Sequence, residues 1–216
     1  MAEKIDRLYL ISSSGKRKLK SMRFRYISKS ILANCNGDNA TFEYVNFRGA
    51  HFTKSSFKRS VFKGCDFWGT TFKKCKFKDT IFQDCVFQGC KFQDCDFTGS
   101  SIQYSAIVNT NLDECNGINP ENTTWISNRY PDAEVSESLL NVLEMLKNNK
   151  SLRKTKVLWI SDKKCNNLNL FLLKRKYKDE QIKSYLEHLS DKEINILTTY
   201  GSLSFGLRKF TKQSIM

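Results

Sequence analysis

At 216 residues the chain is long enough for one domain, or for a small domain with an extension, and its 40% apolar content can bury a core. The formal charge of +14 draws polyanions at long range and says nothing about fold. No run approaches the roughly 18 apolar residues of a membrane-spanning helix. The opening Met1-Ala-Glu-Lys-Ile-Asp-Arg places acids where a secretory signal needs a basic and then apolar stretch, so a cytoplasmic location is expected.

The charge is uneven. Lys and Arg outnumber acids nine to three in residues 1–39, ten to eight in 40–116, and seventeen to eleven in 117–216. Either the excess meets a polyanion, nucleic acid or an acidic protein, or it is a solvated lysine-rich surface. The first element, residues 1–39, reads as a basic capping segment. Lys16, Arg17, Lys18, Lys20, Arg23 and Arg25 crowd into ten residues, and Met22, Phe24 and Tyr26 alternate with the two later arginines as in a half-buried strand. Its charged side would face water or phosphate. Gly15-Lys16 is no phosphate loop, because Leu10 stands at the first glycine position and Arg17 at the hydroxyl position.

From residue 40 to residue 116 a period of five takes over. Phe42, Phe47, Phe52 and every fifth residue to Phe97 are phenylalanine, and Ile102, Ile107 and Leu112 continue the series to fifteen large apolar positions. Two residues before each stands a smaller one, from Ala40 through Cys65, Thr70 and Ser100 to Thr110. In an α-helix residues five apart are rotated by roughly 140°, which would scatter the rings. In a straight strand an odd spacing sends them to opposite faces. Both objections vanish if the chain turns a corner once per repeat. The small residue and the Phe then share a face, and the corner re-aims the next pair at the same axis.

The pattern small–x–Phe/Leu–x–x, in blocks such as Cys85-Val-Phe87-Gln-Gly and Cys95-Asp-Phe97-Thr-Gly, resembles the pentapeptide-repeat proteins. The resemblance covers about a third of the chain. It implies a right-handed quadrilateral β-helix with four repeats, or 20 residues, per coil. Fifteen repeats would then make nearly four coils, a rod roughly 18 Å long at ~4.8 Å per strand. Such a stack needs capped ends. Ser30-Ile-Leu32 reads as an outlying repeat, but Gly37 at a centre position leaves the register open before Ala40.

Cys35, Cys65, Cys75, Cys85, Cys90, Cys95 and Cys115 fall in the small inward slot, and only Cys165 lies outside the pattern. None has the Cys-x-x-Cys spacing of zinc sites, so these thiols are expected to act as small hydrophobes, with no metal or cofactor.

Positions twenty apart should stack. One outward face then carries Trp68, Val86, Ala106 and Val108, with Gly49, Gly69 and Gly89 along a corner. It would suit a packed helix or a second protomer, and the C-terminal segment of the same chain is the expected cover. Two other faces carry Lys54, Lys58, Arg59, Lys73, Lys74, Lys76 and Lys78, and turn acidic further on with Asp94, Asp96, Asp113 and Glu114. Stacked lysines either form a binding patch or guard an exposed sheet. The best-known bacterial relatives protect DNA gyrase by presenting an acidic, DNA-like rod. The cations here oppose that mechanism.

A connector at 117–133 contains both prolines, Pro120 and Pro131, and a helical domain is expected over 134–216. Leu139, Val142, Leu143 and Leu146 give one apolar face, residues 162–176 a second helix, and Ile182, Tyr185, Leu186 and Leu189 a third. Ser190-Asp-Lys-Glu193 is a capping box opening a helix through Ile194, Leu197 and Tyr200, with Gly201 ending it. Its short preceding turn has helix-turn-helix length without a specific motif. His51 and His188, the only histidines, lie on different elements, so no base or nucleophile is named.

These readings describe a mainly β chain with a small helical C-terminal region that acts by binding. The leading expectation is a protein partner docked by the rod and helical domain, without membrane contact and with a homodimer as an option. Nucleic-acid binding through the basic patches comes second, and topoisomerase modulation, by family analogy alone, third.

Overall fold

A computed structural model describes residues 7–13, 15–118, 120, 121, 123–126, 130 and 132–213. They fall into two compact units, Met1–Arg129 and Tyr130–Met216.

The first unit is a parallel β-solenoid whose layers repeat at 20-residue intervals over most of its length. Each coil contributes to four ladders. The first runs through Tyr9–Ile11, Ile31–Ala33, His51–Thr53, Thr71–Lys73 and Lys91–Gln93. The second joins Arg17–Lys18 to Cys35–Asn36, continues by single bridges through Ser56 and Lys76, and ends in Cys95–Asp96 and Cys115–Asn116. The third is six strands deep, from Met22–Arg23 to Pro120–Glu121. The fourth passes through Tyr26, Asn46 and Asp66 to Val86–Gln88, Ala106–Val108 and Thr124–Ile126.

The corner comes at a fixed place in the repeat. Every fifth residue from Phe24 to Asn109 has φ between +44° and +69°, the left-handed region that Gly, Asn and Asp enter most easily. That is why Gly49, Gly69 and Gly89 align, and why Asn and Asp recur between them. Phe24 takes this conformation too, at φ 50°. Residues 22–26 are therefore no straight strand: the chain turns at Phe24, whose ring stacks on Tyr44 at 5.0 Å.

Inside, the phenylalanines stack in four columns. Phe42, Phe62 and Phe82 follow at 4.7 and 5.0 Å, and Phe57, Phe77 and Phe97 at 5.5 and 4.8 Å. Neighbours around a coil meet edge to face, as Phe72 and Phe77 do at 5.4 Å, the geometry the ring quadrupole favours. The small slot is more than a packing position. Thr70 and Thr80 Oγ1 donate to the carbonyls of Phe47 and Phe57 at 2.9 and 2.6 Å, and Cys90 Sγ to that of Phe67 at 2.8 Å. Each reaches back one layer, so a short side chain with a donor fits best. Cys35, Cys65, Cys75, Cys85, Cys90 and Cys95 are buried there, and Cys115 partly so.

The stack is longer than nearly four coils because its upstream centres are aliphatic. Leu19, Ile27 and Leu32 join the same core. Gly37 interrupts nothing: a Cβ there would lie 2.7 Å from Phe57 Cδ1, so a ring of the next layer fills the slot. Downstream, Pro120–Glu121 and Thr124–Ile126 add strands from the expected connector.

Among its described residues the second unit has six helices: α1 (Glu137–Leu146), α2 (Lys150–Thr155), α3 (Asn167–Lys174), α4 (Asp179–Glu187), α5 (Asp191–Ile196) and α6 (Tyr200–Gln213). Residues 162–176 are helical only within α3, since an antiparallel hairpin, Trp159–Ser161 with Lys164–Cys165, precedes it. The capping box at Ser190 is present, with Ser190 Oγ accepting from Glu193 N and Glu193 from Ser190 N. Gly201 does not end that helix. It sits in the first turn of α6, where Thr199 Oγ1 accepts from Ser202 N at 3.0 Å and Ser202 Oγ from Thr198 N and Thr199 N.

Candidate functional site

Outward residues of the second ladder and its two corners form the most strongly charged surface of the solenoid. In the layer of residues 53–59 it carries Lys54, Lys58 and Arg59. In the next it carries Lys73, Lys74, Lys76 and Lys78, against the single acid Asp79. All are exposed except Lys58, which is half-buried. Lys54 stands one layer from Lys74, and Lys58 one layer from Lys78, at the strand spacing of about 4.8 Å. Among the described residues no acid lies within ion-pair distance of any of the seven. Stacked like charges oppose the fold unless solvated or met by a partner.

The same face changes sign further along. Asp94 and Asp96 occupy the following layer and Asp113 and Glu114 the last, with no cation among residues 93–99 or 113–117. Hydrogen bonds from Thr98 Oγ1 and Thr98 N hold the Asp96 carboxyl below the usual range, helped by Lys78 and Lys76 one layer away. The Asp96 carboxylate therefore stays charged well into mildly acidic solution.

The N-terminal basic run divides. Lys18 pairs with Asn36, so Lys16, Arg17, Lys18 and Lys20 lie exposed at the start of the same ladder that carries Lys76. Arg23 belongs to the third ladder, bonds Glu43 at 3.1 Å and lies 4.7 Å over the Phe24 ring. Arg25 is exposed beyond that corner and engaged elsewhere. One layer holding Asn36 and Asp38 separates the two basic groups. Asp38 is occupied there, accepting from Ser56 Oγ at 2.6 Å and Lys58 N at 2.8 Å.

The apolar face is less open than its stacking implies. Val86, Ala106 and Val108 are 2%, 3% and 0% exposed, and Trp68 is half-buried. Arg48 lies 4.1 Å over the Trp68 ring and bonds Asp66 at 3.1 Å, with both partners nearly buried. The Arg48–Trp68 stack follows the twenty-residue offset, but the ion pair does not, because Arg48 and Asp66 are 18 residues apart and meet diagonally across layers. His51 and His188 are exposed, on different units.

The family model described as a pentapeptide repeat region matches residues 35–112. No curated protein sequence matches the chain. Among solved structures, a pentapeptide repeat protein of the Arabidopsis thaliana thylakoid lumen is 16% identical over 59% of this chain and 83% of its own, with a TM-score of 0.33. Rfr23 from the cyanobacterium Cyanothece 51142 is 14% identical over 46% of this chain at a TM-score of 0.29, and the match spans 63% of its length, just under two thirds. Full-length QnrB1, a plasmid-mediated fluoroquinolone resistance protein, is 14% identical over 52% of this chain and 83% of its own, at a TM-score of 0.19. With the five-residue period, the four ladders and the family match in one place, residues 35–112 are a pentapeptide repeat region.

Proposed function

We propose that this chain is a non-enzymatic interaction protein whose solenoid docks a protein with an acidic surface on the basic half of its second ladder. The observation that carries this reading is the band of seven cations, Lys54 to Lys78, held by a rigid scaffold without an ion-pair partner among the described residues. A scaffold that fixes like charges in register offers them pre-organised to an anionic partner, which speeds encounter and sets orientation.

Nucleic acid is the second reading, since Lys16, Arg17, Lys18 and Lys20 extend the same ladder. The acidic half weighs against it: a phosphate chain following the ladder would run onto Asp94, Asp96, Asp113 and Glu114. A compact protein surface can cover the basic layers alone. The test is the triple variant K73E/K76E/K78E, all exposed positions away from the left-handed corners. It should melt like the wild type and lose the partner recovered by cross-linking from the native cell. The wild type should show no DNA affinity that falls steeply with salt, the mark of phosphate contacts. A variant that keeps its partner overturns the reading.

A further inference from the structure

The second ladder carries its own complement. Its cationic layers, around Lys58 and Lys76, stand directly beside its anionic layers, around Asp96 and Glu114. A two-fold axis perpendicular to the ladder, passing between Lys76 and Asp96, brings each cationic layer of one copy onto an anionic layer of another. We propose that this face is a self-complementary docking surface on which a second copy of the chain binds antiparallel. The proposal rests on the reading of the lysine band as a docking surface, and it names the partner.

The geometry suits an isologous contact, in which the same patch serves both copies. The layer of Lys76 would meet the layer of Asp96 twice, and the layer of Lys58 the layer of Glu114 twice. Four layers overlap, a length of about 19 Å at the strand spacing. None of the outward positions on this ladder, from Asn36 and Asp38 through Ser56 and Thr98 to Asn116, is apolar. The contact is therefore driven by charge, small, and weakened by salt. A parallel arrangement would set like charges together. The uncharged side chain of Asn36, one layer before the lysine band, bounds the self-complementary stretch on one side, and the end of the ladder at Asn116 bounds it on the other.

The test uses the full chain in sedimentation at low and high ionic strength, with two variants. K73E/K76E/K78E makes the layer of Lys76 acidic, and D94K/D96K makes the layer of Asp96 basic, so each variant opposes like charges in the two central contacts while a mixed pair opposes unlike ones. The wild type should be dimeric at low salt and monomeric at high salt. Each variant alone should be monomeric at both, and an equimolar mixture should form a heterodimer at low salt. Melting curves of each variant separate lost pairing from lost folding, and K76E alone, expected to shift the equilibrium toward monomer, serves if either variant does not fold. A wild type that stays monomeric at low salt, a dimer indifferent to salt and variants, or a mixture that stays monomeric overturns self-pairing. If the wild type is monomeric but cross-linking still recovers a partner that K73E/K76E/K78E loses, only the self-pairing falls and the docking surface stands. Binding of a DNA duplex by the monomer, lost in K73E/K76E/K78E, would assign the cations to phosphate and overturn both.

Discussion

The Phe77 ring lies between those of Phe57 and Phe97 at 5.5 and 4.8 Å and exposes no surface. A column of rings loses contacts on both sides when one is cut back, and truncating a buried Phe to Ala costs about 3–5 kcal/mol. Phe77→Asp is worse, since it places a charge where no partner or water can reach. It is expected to abolish the cooperative melt of the solenoid, whereas Phe77→Leu keeps a folded, less stable rod. A soluble Phe77→Asp protein with wild-type melting would show that the ring is not interior. Thiols follow the same geometry. Burial pushes Cys85 and Cys90 far up, and it lifts the partly exposed Cys115 and Cys165 to about 12 and about 11. Since the thiolate is the nucleophile, native alkylation near neutral pH should be slow and confined to Cys115 and Cys165. Raising the pH deprotonates these two and should speed their labelling, while Cys85 and Cys90 wait for denaturant. Mass spectrometry of the labelled chain checks the order, and early modification of Cys90 would contradict it.

At the level of elements, what could be read in advance followed from how many residues enforce a feature. A ring every fifth residue leaves one solution, so the layers from Ala40 to Leu112 were legible. Before them only the Ser30-Ile-Leu32 repeat was, and Leu32 does join the core. Leu19 and Ile27 fill the same core without the phenylalanine that marks it, and Gly37 is empty because Phe57 occupies its space. The corner at Phe24 was hidden by an alternation that suits a straight strand equally well. Helix ends divide in the same manner. Ser190 and Glu193 are a reciprocal pair, legible from spacing and present in the fold. Gly201 carries no partner in sequence, and the Thr199–Ser202 pair that opens α6 makes it an interior residue. Ser190→Ala removes the acceptor for Glu193 N and should destabilise the helical unit by about 1 kcal/mol. Urea denaturation followed by helical circular dichroism would register this as an earlier midpoint with an unchanged slope. A midpoint equal to that of the wild type would mean that α5 does not depend on its cap.

Over the whole molecule the charge is organised by layer, and only part of that was visible beforehand. The lysine band and the acids beyond it emerge from counting in twenties. The Lys16–Lys20 run does not, because Arg17 pairs with Cys35, an offset of 18, whereas Tyr9 pairs with Ile31, an offset of 22, and this irregular first coil defeats the count. The resulting face is basic, then polar with the one acid Asp38, then basic, then acidic along its length. An inhibitor that works on a DNA-handling enzyme by resembling DNA must show long acidic columns to a cationic enzyme surface. Here the acidic stretch of the second ladder is two layers deep, from Asp94 to Glu114, and seven cations border it. Their field reaches about a Debye length, ~8 Å at physiological salt, which spans nearly two layers at the strand spacing. The short acidic stretch is therefore covered by repulsion from its own neighbours. We expect no inhibition of DNA supercoiling by gyrase through mimicry of DNA. The assay is supercoiling with and without the protein, repeated with K73E/K76E/K78E. The wild type should leave the rate unchanged, while the variant, with a longer acidic column, should inhibit at least as well as the wild type. Strong inhibition by the wild type that disappears in D96K/D113K/E114K would show that two acidic layers suffice, and would make topoisomerase the partner to pursue.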